Sequence, residues 1–523
     1  MTGKAHGGDG GRDAPVVLSL RNITKRFGPL VANEAIDLDV RRGEIVALLG
    51  ENGAGKTTLM NILFGHYVAD EGEVLVARGE GGLTPLEPGS PRAALDAGVG
   101  MVHQHFTLAE NLTGFENIVL GTQSPFSFSV SRRRARARLD RQMAESGLTV
   151  ALDVQVSGLS VGEKQRVEIL KALYRDATIL VMDEPTAVLT PQEVERLFDT
   201  LRRLAAKGLA VVFIAHKLSE VLAIADRIAV LRGGRKAGEM VRADADRRRI
   251  AEMMVGREVA PTQRQPGTPG ATLLELSRVS AGAASDRDAL RDVSLAVRAG
   301  EIVGIAGVSG NGQARLAAVI AGLATVGQGT FELFGEPVSR ADPRRFAAAG
   351  IARIPEDRHH DGVIGAMSVA ENVVVEEIRD GAYARLGFLK PRAIRARGET
   401  AIRDYDVRCQ GPDAPARQLS GGNIQKLILA RVLDRLPRIV LANQPSRGLD
   451  VGAQGEVHRR LLEARGRGAG IVLISEDLDE LLALSDRVAV IHAGELSATF
   501  ATDEVDRATL GLMMAGHSRE DAA

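Results

Sequence analysis

The chain has 523 residues, 45% of them hydrophobic, which is enough to bury at least two cores and too long for one. Its 66 basic and 67 acidic residues leave a formal net charge of -1, so no global basic surface argues for nucleic acid. The lone cysteine, Cys409, excludes an internal disulfide and is expected to be a buried small residue in a reducing compartment.

In chain order, residues 1 to 15 are polar and glycine-rich and lack the apolar core of a secretory signal, which predicts a disordered tail. The run EIVALL reads as a strand, TTLMNILFG as a helix, and between them GENGAGKT at 50 to 57 fits GxxxxGK[ST] in its proper context. Gly50, Asn52, Gly53, Gly55, Lys56, Thr57 and Thr58 are the expected phosphate contacts. Glycines turn backbone N–H groups toward phosphate at a helix N-terminus, Lys56 adds a point charge, and the Thr57 hydroxyl suits Mg²⁺.

Further on, SRRRARARLDRQ at 131 to 142 is a basic run, either a solvated helix face or a contact for lipid or a membrane partner. KQRVEILKALYR has helix periodicity, and ILVMDEP at 179 to 185 places Asp183 and Glu184 at the end of an apolar strand, where α/β sheets bind ligands. Asp183 suits Mg²⁺ through water, and Glu184 the orientation or deprotonation of an attacking water. His216 stands alone after the strand-like VVFIA. No apolar run approaches the 18 or so residues that span a bilayer.

APTQRQPGTPGA at 260 to 271 reads as an extended linker, and beyond it the chain repeats itself. GLSVGEKQRVEILKAL answers QLSGGNIQKLILARVL, VVFIAHKLSEVLAIADRIAVLRGG answers IVLISEDLDELLALSDRVAVIHAG, and IAEMMVGR answers LGLMMAGH. All three pairs are displaced by the same 260 residues (158 to 418, 211 to 471, 250 to 510). The expected domains are 16–258 and 272–518, each α/β with a parallel core sheet, joined by a linker at 259–271.

With GENGAGKT, LSVGE at 159 to 163, DEPTAVL at 183 to 189 and His216, both copies resemble ATP-binding-cassette (ABC) nucleotide-binding domains over nearly the whole chain. The resemblance implies a P-loop core sheet, an antiparallel β subdomain and a helical signature subdomain in each copy. It implies ATP and Mg²⁺ as cofactors, Phe27 stacked on adenine, Gln104 linking nucleotide and metal to a membrane partner, and His216 on the γ-phosphate. In this family two cassettes pair head to tail. The competent site would then combine the first copy's motifs with Ser420, Gly421, Gly422 and Asn423 of the second copy's signature, and Asp450 would bridge the domains.

The second copy departs from that pattern throughout. Gln313 replaces the lysine, Ala314 the metal-binding hydroxyl, Asn443 and Gln444 the acid pair, Glu476 the histidine and Glu356 the glutamine. The partnering first-copy elements carry Val161 for a glycine and Thr190 for an aspartate. A carboxylate about 4 Å from a γ-phosphate charge costs on the order of 4 kcal/mol at an effective dielectric of about 20. Gly307, Gly310 and Gly312 remain, so the expectation is a site that still cradles a diphosphate without turning ATP over.

Tandem cassettes with a disarmed second copy resemble the energising subunit of bacterial importers for simple sugars and nucleosides, most like the nucleoside branch. The resemblance implies two transmembrane permease subunits, an extracytoplasmic substrate-binding protein, no nucleic acid, and a peripheral place on the cytoplasmic face of the membrane. The alternative is a soluble twin-cassette ATPase acting on ribosomes or DNA. Such relatives join intact cassettes by a long charged helix, which this linker does not match.

Overall fold

The computed structural model describes residues 14–51, 53–79, 82–103, 106–122, 132–186, 189, 191–215, 217–256, 264, 268–283, 285, 286 and 288–518. The chain divides into two compact units, Met1–Val259 and Ala260–Ala523. Most of the expected linker, and Asn52, Gln104, Thr190 and His216, lie outside the described residues.

The first unit has two sheets. An antiparallel one runs β2 (Leu30–Arg41), β1 (Val16–Phe27), β4 (Glu71–Ala77), β5 (Leu83–Pro85). The core sheet runs β10 (Arg235–Val241), β9 (Arg227–Arg232), β3 (Ile45–Gly50), β8 (Ala210–Ile214), β7 (Ile179–Asp183), β6 (Val99–Val102), parallel except at β10. Strands β3, β7 and β8 are buried along their length, which is why they read as unbroken apolar runs rather than alternating ones. Helix Lys56–Leu63 sends Leu59, Met60 and Leu63 into one core with Leu18 and Leu38 of the antiparallel sheet and Val46 and Leu48 of the core sheet.

The second unit repeats this order. Its core sheet runs Ile351–Ile354, Ile439–Asn443, Gly470–Ser475, Ile302–Ala306, Arg487–His492, and its antiparallel sheet centres on Thr272–Ala281. Each unit also carries a helical part, led by Arg132–Ser146 and Val161–Tyr174 in the first and by Pro391–Asp404 and Gly421–Leu433 in the second. The α/β class and the subdomain plan expected from sequence are therefore both present.

Two smaller expectations can be followed into the structure. Cys409 is only half-buried, packed at the margin of the second unit's core. The basic run is a helix, and several of its arginines are engaged within the chain: Arg136 pairs with Asp153 at 2.8 Å, and Arg138 pairs with Asp176 at 2.7 Å while covering Tyr174. Arg132 lies over Phe115. That is a solvated face tied to its own unit.

Candidate functional site: one open and one self-filled phosphate loop

Neighbouring parallel strands β3, β8, β7 and β6 end on one edge of the first core sheet, and each end leads into one motif. Strand β3 enters the phosphate loop, β7 ends in Asp183 and Glu184, β8 stops two residues before His216, and β6 two before Gln104. Gly53 (φ 82°) and Gly55 (φ 98°) hold the left-handed backbone that wraps the loop. Lys56 is buried and donates to Gly50 O at 2.7 Å and Glu51 O at 3.0 Å, so its ammonium closes the loop through carbonyls. Thr57 is exposed and Thr58 half-buried at the start of the helix. The loop is braced from the next sheet, where Asn33 Nδ2 donates to Gly55 O at 3.1 Å.

Asp183 is buried, and burial, reinforced by the neighbouring Glu184, pushes its carboxyl above the usual range while Lys56 pulls it down. A carboxylate in that state gains by meeting a cation. Glu184 follows with φ 45° and donates its N–H to Ile214 O at 3.0 Å, fixing the carboxylate-bearing residue at the edge of β8. Phe27, at the end of β1, keeps one face open. It is 43% exposed, with Tyr67 against its edge at 5.6 Å and the Lys25 ammonium 5.5 Å from its ring.

The second loop has the same backbone and different contents. Gln313 occupies the lysine's place, donating Nε2 to Val308 O at 2.7 Å, but its carbonyl also accepts the Asn311 N–H at 3.1 Å, which an ammonium cannot do. Glu476 turns inward and accepts the Ser309 N–H at 2.8 Å. The Asn311 N–H also meets Val308 O at 3.3 Å, as the Ala54 N–H meets Glu51 O at 3.0 Å in the first loop, and the Ser309 amide is taken by a built-in carboxylate. Of the amides expected to cradle a diphosphate, that of Ser309 is held by Glu476 in this structure. Wild-type chain is expected to bind one ADP, and the Gln313→Lys, Glu476→His double variant two, in equilibrium dialysis. Two equal sites in the wild type would refute the self-filled loop.

The two signature motifs also differ in a way that residue types alone did not disclose. Ser420 precedes helix Gly421–Leu433 and accepts a hydrogen bond from Asn423 Nδ2 at 2.8 Å, which leaves its own O–H to donate. Ser160 instead gives its hydroxyl to Glu163 at 2.8 Å within a capping box. The backbone N–H and then the hydroxyl of Ser160 hold the Glu163 carboxyl below its ordinary range. A fixed anion at that helix N-terminus opposes phosphate. Sequence reasoning also missed Glu168, a buried acid on the same helix that accepts the Thr107 N–H at 2.7 Å and ties the helical part to the segment after β6. Asp450 caps helix Val451–Gly466 through the Ala453 N–H at 2.8 Å.

A phosphate loop, an acid pair two strands away in the same parallel sheet and a signature helix, on an α/β plan that the second unit repeats with Asn443 and Gln444 in place of the acids, define a nucleotide-hydrolysing P-loop protein. The chain belongs to the ABC transporter family, whose profile matches residues 34–187 and 290–447. It is similar to the glucose import ATP-binding protein TsgD13 of Haloferax volcanii, 44% identical over 95% of this chain and 96% of that one. It is likewise similar to the nucleoside import ATP-binding protein NupA of Lactococcus lactis subsp. cremoris, 41% identical over 96% of this chain and 98% of that one. A solved archaeal ribosome recycling factor, aABCE1 in complex with the stalk protein aP1, shares the tandem fold with a TM-score of 0.62 at 20% identity, covering 92% of this chain and 90% of that one. At that identity the likeness is one of fold. The importer-subunit resemblance read from the sequence is borne out, and the chain is an ATPase.

Proposed function

We propose that the chain powers import of a nucleoside or simple sugar by hydrolysing ATP at the first unit's phosphate loop alone. The observation that carries this is the contrast between the two sites: Lys56 closes the first loop and Asp183 and Glu184 follow β7, while Gln313, Asn443 and Gln444 hold the matching places in the second unit and Glu476 accepts the Ser309 amide of its loop. The relatives' import roles support the cargo class.

In this reading Gly50, Asn52, Gly53, Gly55, Lys56, Thr57 and Thr58 hold the phosphates, Phe27 stacks on the base, and Glu184 orients the attacking water. His216 and Gln104, following β8 and β6, act on the γ-phosphate, and Ser420, Gly421, Gly422 and Asn423 offer a helix N-terminus and a hydroxyl to phosphate. Thr57 and the cation-seeking Asp183 fit Mg²⁺, which prefers one or two carboxylates plus substrate phosphates; bound there, it neutralises charge on the phosphate oxygens.

Among the described residues no helix is long and apolar enough to cross a membrane, so import requires partners. We assign these as two transmembrane permease subunits and an extracytoplasmic binding protein, with the chain peripheral on the cytoplasmic face. The test is co-expression with candidate permeases and reconstitution into vesicles. Cargo-stimulated ATPase activity with uptake of a nucleoside or sugar is expected. Full activity without permeases, stimulated instead by ribosomes or DNA, would refute it.

A further inference from the structure

Beside the second unit's self-filled loop lies a cavity of about 510 Å³, within the ~300–1,000 Å³ range of small-molecule sites. Arg353 and Arg358 reach its wall from the stretch 351–362, and Arg447 from the segment after Ile439–Asn443. At the corresponding positions the first copy has Met101, Phe106 and Ala187, judged from the matched strands Val99–Val102 and Ile351–Ile354 and from DEPTAVL against NQPSRGL. The second copy thus has three arginines at one cavity where the first copy has none, a difference that loss of ATP hydrolysis does not require.

The same wall has shed its means of holding a divalent cation, since Ala314 and Asn443 stand where the first copy has Thr57 and Asp183. Asn443 is buried, 6% exposed, and its Oδ1 has no hydrogen-bond partner among the described residues. An unsatisfied buried acceptor costs about 1–3 kcal/mol and calls for a donor.

Each guanidinium offers five N–H donors, and the contacts present use few of them. Arg447 pairs with Glu356 at 2.5 Å, Arg353 pairs with Asp361 at 3.2 Å, and Arg358 donates to Arg447 O at 2.8 Å and Gly448 O at 3.3 Å. Asp357, the third acid on the wall, spends one oxygen on the His359 and His360 N–H groups. The cavity therefore sets three arginines, with N–H donors to spare, against three carboxylates, beside one orphan acceptor. Arginine forks match phosphate oxygens in geometry and charge, and a hydroxyl beside the phosphate supplies the donor that Asn443 lacks.

We propose that this cavity binds a small phosphate monoester bearing hydroxyl groups, such as a sugar phosphate, without a divalent cation. Binding would replace Glu356 and Asp361 as the partners of Arg447 and Arg353, altering the wall of the second phosphate loop. The proposal concerns the second unit alone and does not depend on the importer reading.

The test is calorimetric titration of the full chain, with magnesium chelated, using ribose 5-phosphate, inorganic phosphate and ribose. Ribose 5-phosphate is expected to bind one site per chain, inorganic phosphate at least tenfold more weakly, and ribose not at all. Binding should survive Lys56→Ala, which disables the first loop, and fall at least tenfold in the Arg353→Met, Arg447→Ala double variant, with thermal unfolding checking that each is folded. Asn443→Leu, which keeps the arginines, should erase the preference for ribose 5-phosphate over inorganic phosphate. Absence of binding at millimolar ligand, loss in Lys56→Ala, or indifference to both the arginine and the asparagine variants overturns the proposal.

Discussion

Replacing Glu184 by glutamine is expected to stop ATP turnover while leaving ATP binding in place, with a fall of about 10²–10⁴-fold in kcat, the usual worth of a positioned general base. The side chains are nearly isosteric, and the backbone at this position is held independently of the carboxylate by the bond to Ile214 O, so the substitution removes charge and basicity without moving the site. Its companion, Gln444→Glu, places a carboxylate on a matching backbone: Gln444 has φ 50° and donates its N–H to Ile474 O at 2.8 Å. Yet Gln313, Ala314, Asn443 and Glu476 still surround it, so no second turnover should appear. Single-turnover phosphate release and equilibrium ATP binding, measured side by side, decide the matter. Substantial turnover in Glu184→Gln would mean that the second copy hydrolyses after all.

Gly55→Ala should be nearly as damaging, and by geometry rather than chemistry. A Cβ built on Gly55 would stand 2.2 Å from Ala32 O and 2.4 Å from Asn33 Nδ2, at φ 98°. Backbone and brace cannot both stay where they are. Strain of this sort costs about 1–3 kcal/mol per residue and overpacking about 1–3 kcal/mol more, enough to open the loop and abolish ATP binding. Gly312→Ala in the second copy shares the positive φ (111°) but meets only the side chains of Ile491 and Leu290 and the Gly494 Cα, at 3.1–3.4 Å. The pair separates steric collision from backbone preference. Nucleotide affinity and thermal stability should both drop further for Gly55→Ala, and equal losses would show that φ alone sets the cost.

Much of this site could be read along the chain because it is built from short contiguous motifs at strand ends. GENGAGKT and ILVMDEP carry their own context, and the order of the parallel strands turns four distant motifs into neighbours. The substitutions in the second copy were equally visible; their consequence was not. That Glu476 bends into its own loop depends on the direction of the chain after Gly470–Ser475, which no spacing rule gives. Glu163 entered only as the last residue of LSVGE, and its hydrogen bonds to Ser160 make it a rival for phosphate. Arg353, Arg358 and Arg447 were ordinary surface charges in sequence and became a group only through the fold. Cys409 obeyed a general burial habit only halfway, because it falls at a core's edge.

The left-handed residue after the second unit's strand Ile439–Asn443, where the first unit has its acid pair, has a historical meaning. A non-glycine side chain there costs roughly 1–2 kcal/mol, and Gln444 bears that cost with no catalytic duty to justify it. Had the scaffold been free to relax once hydrolysis was lost, this is where it would have done so; Gly at the same position would be the easy repair. Retention of the shape means that disarming this copy was a change of side chains upon an ancestral frame. The route back to a second working engine, or to an engineered one, is therefore short and needs no new backbone.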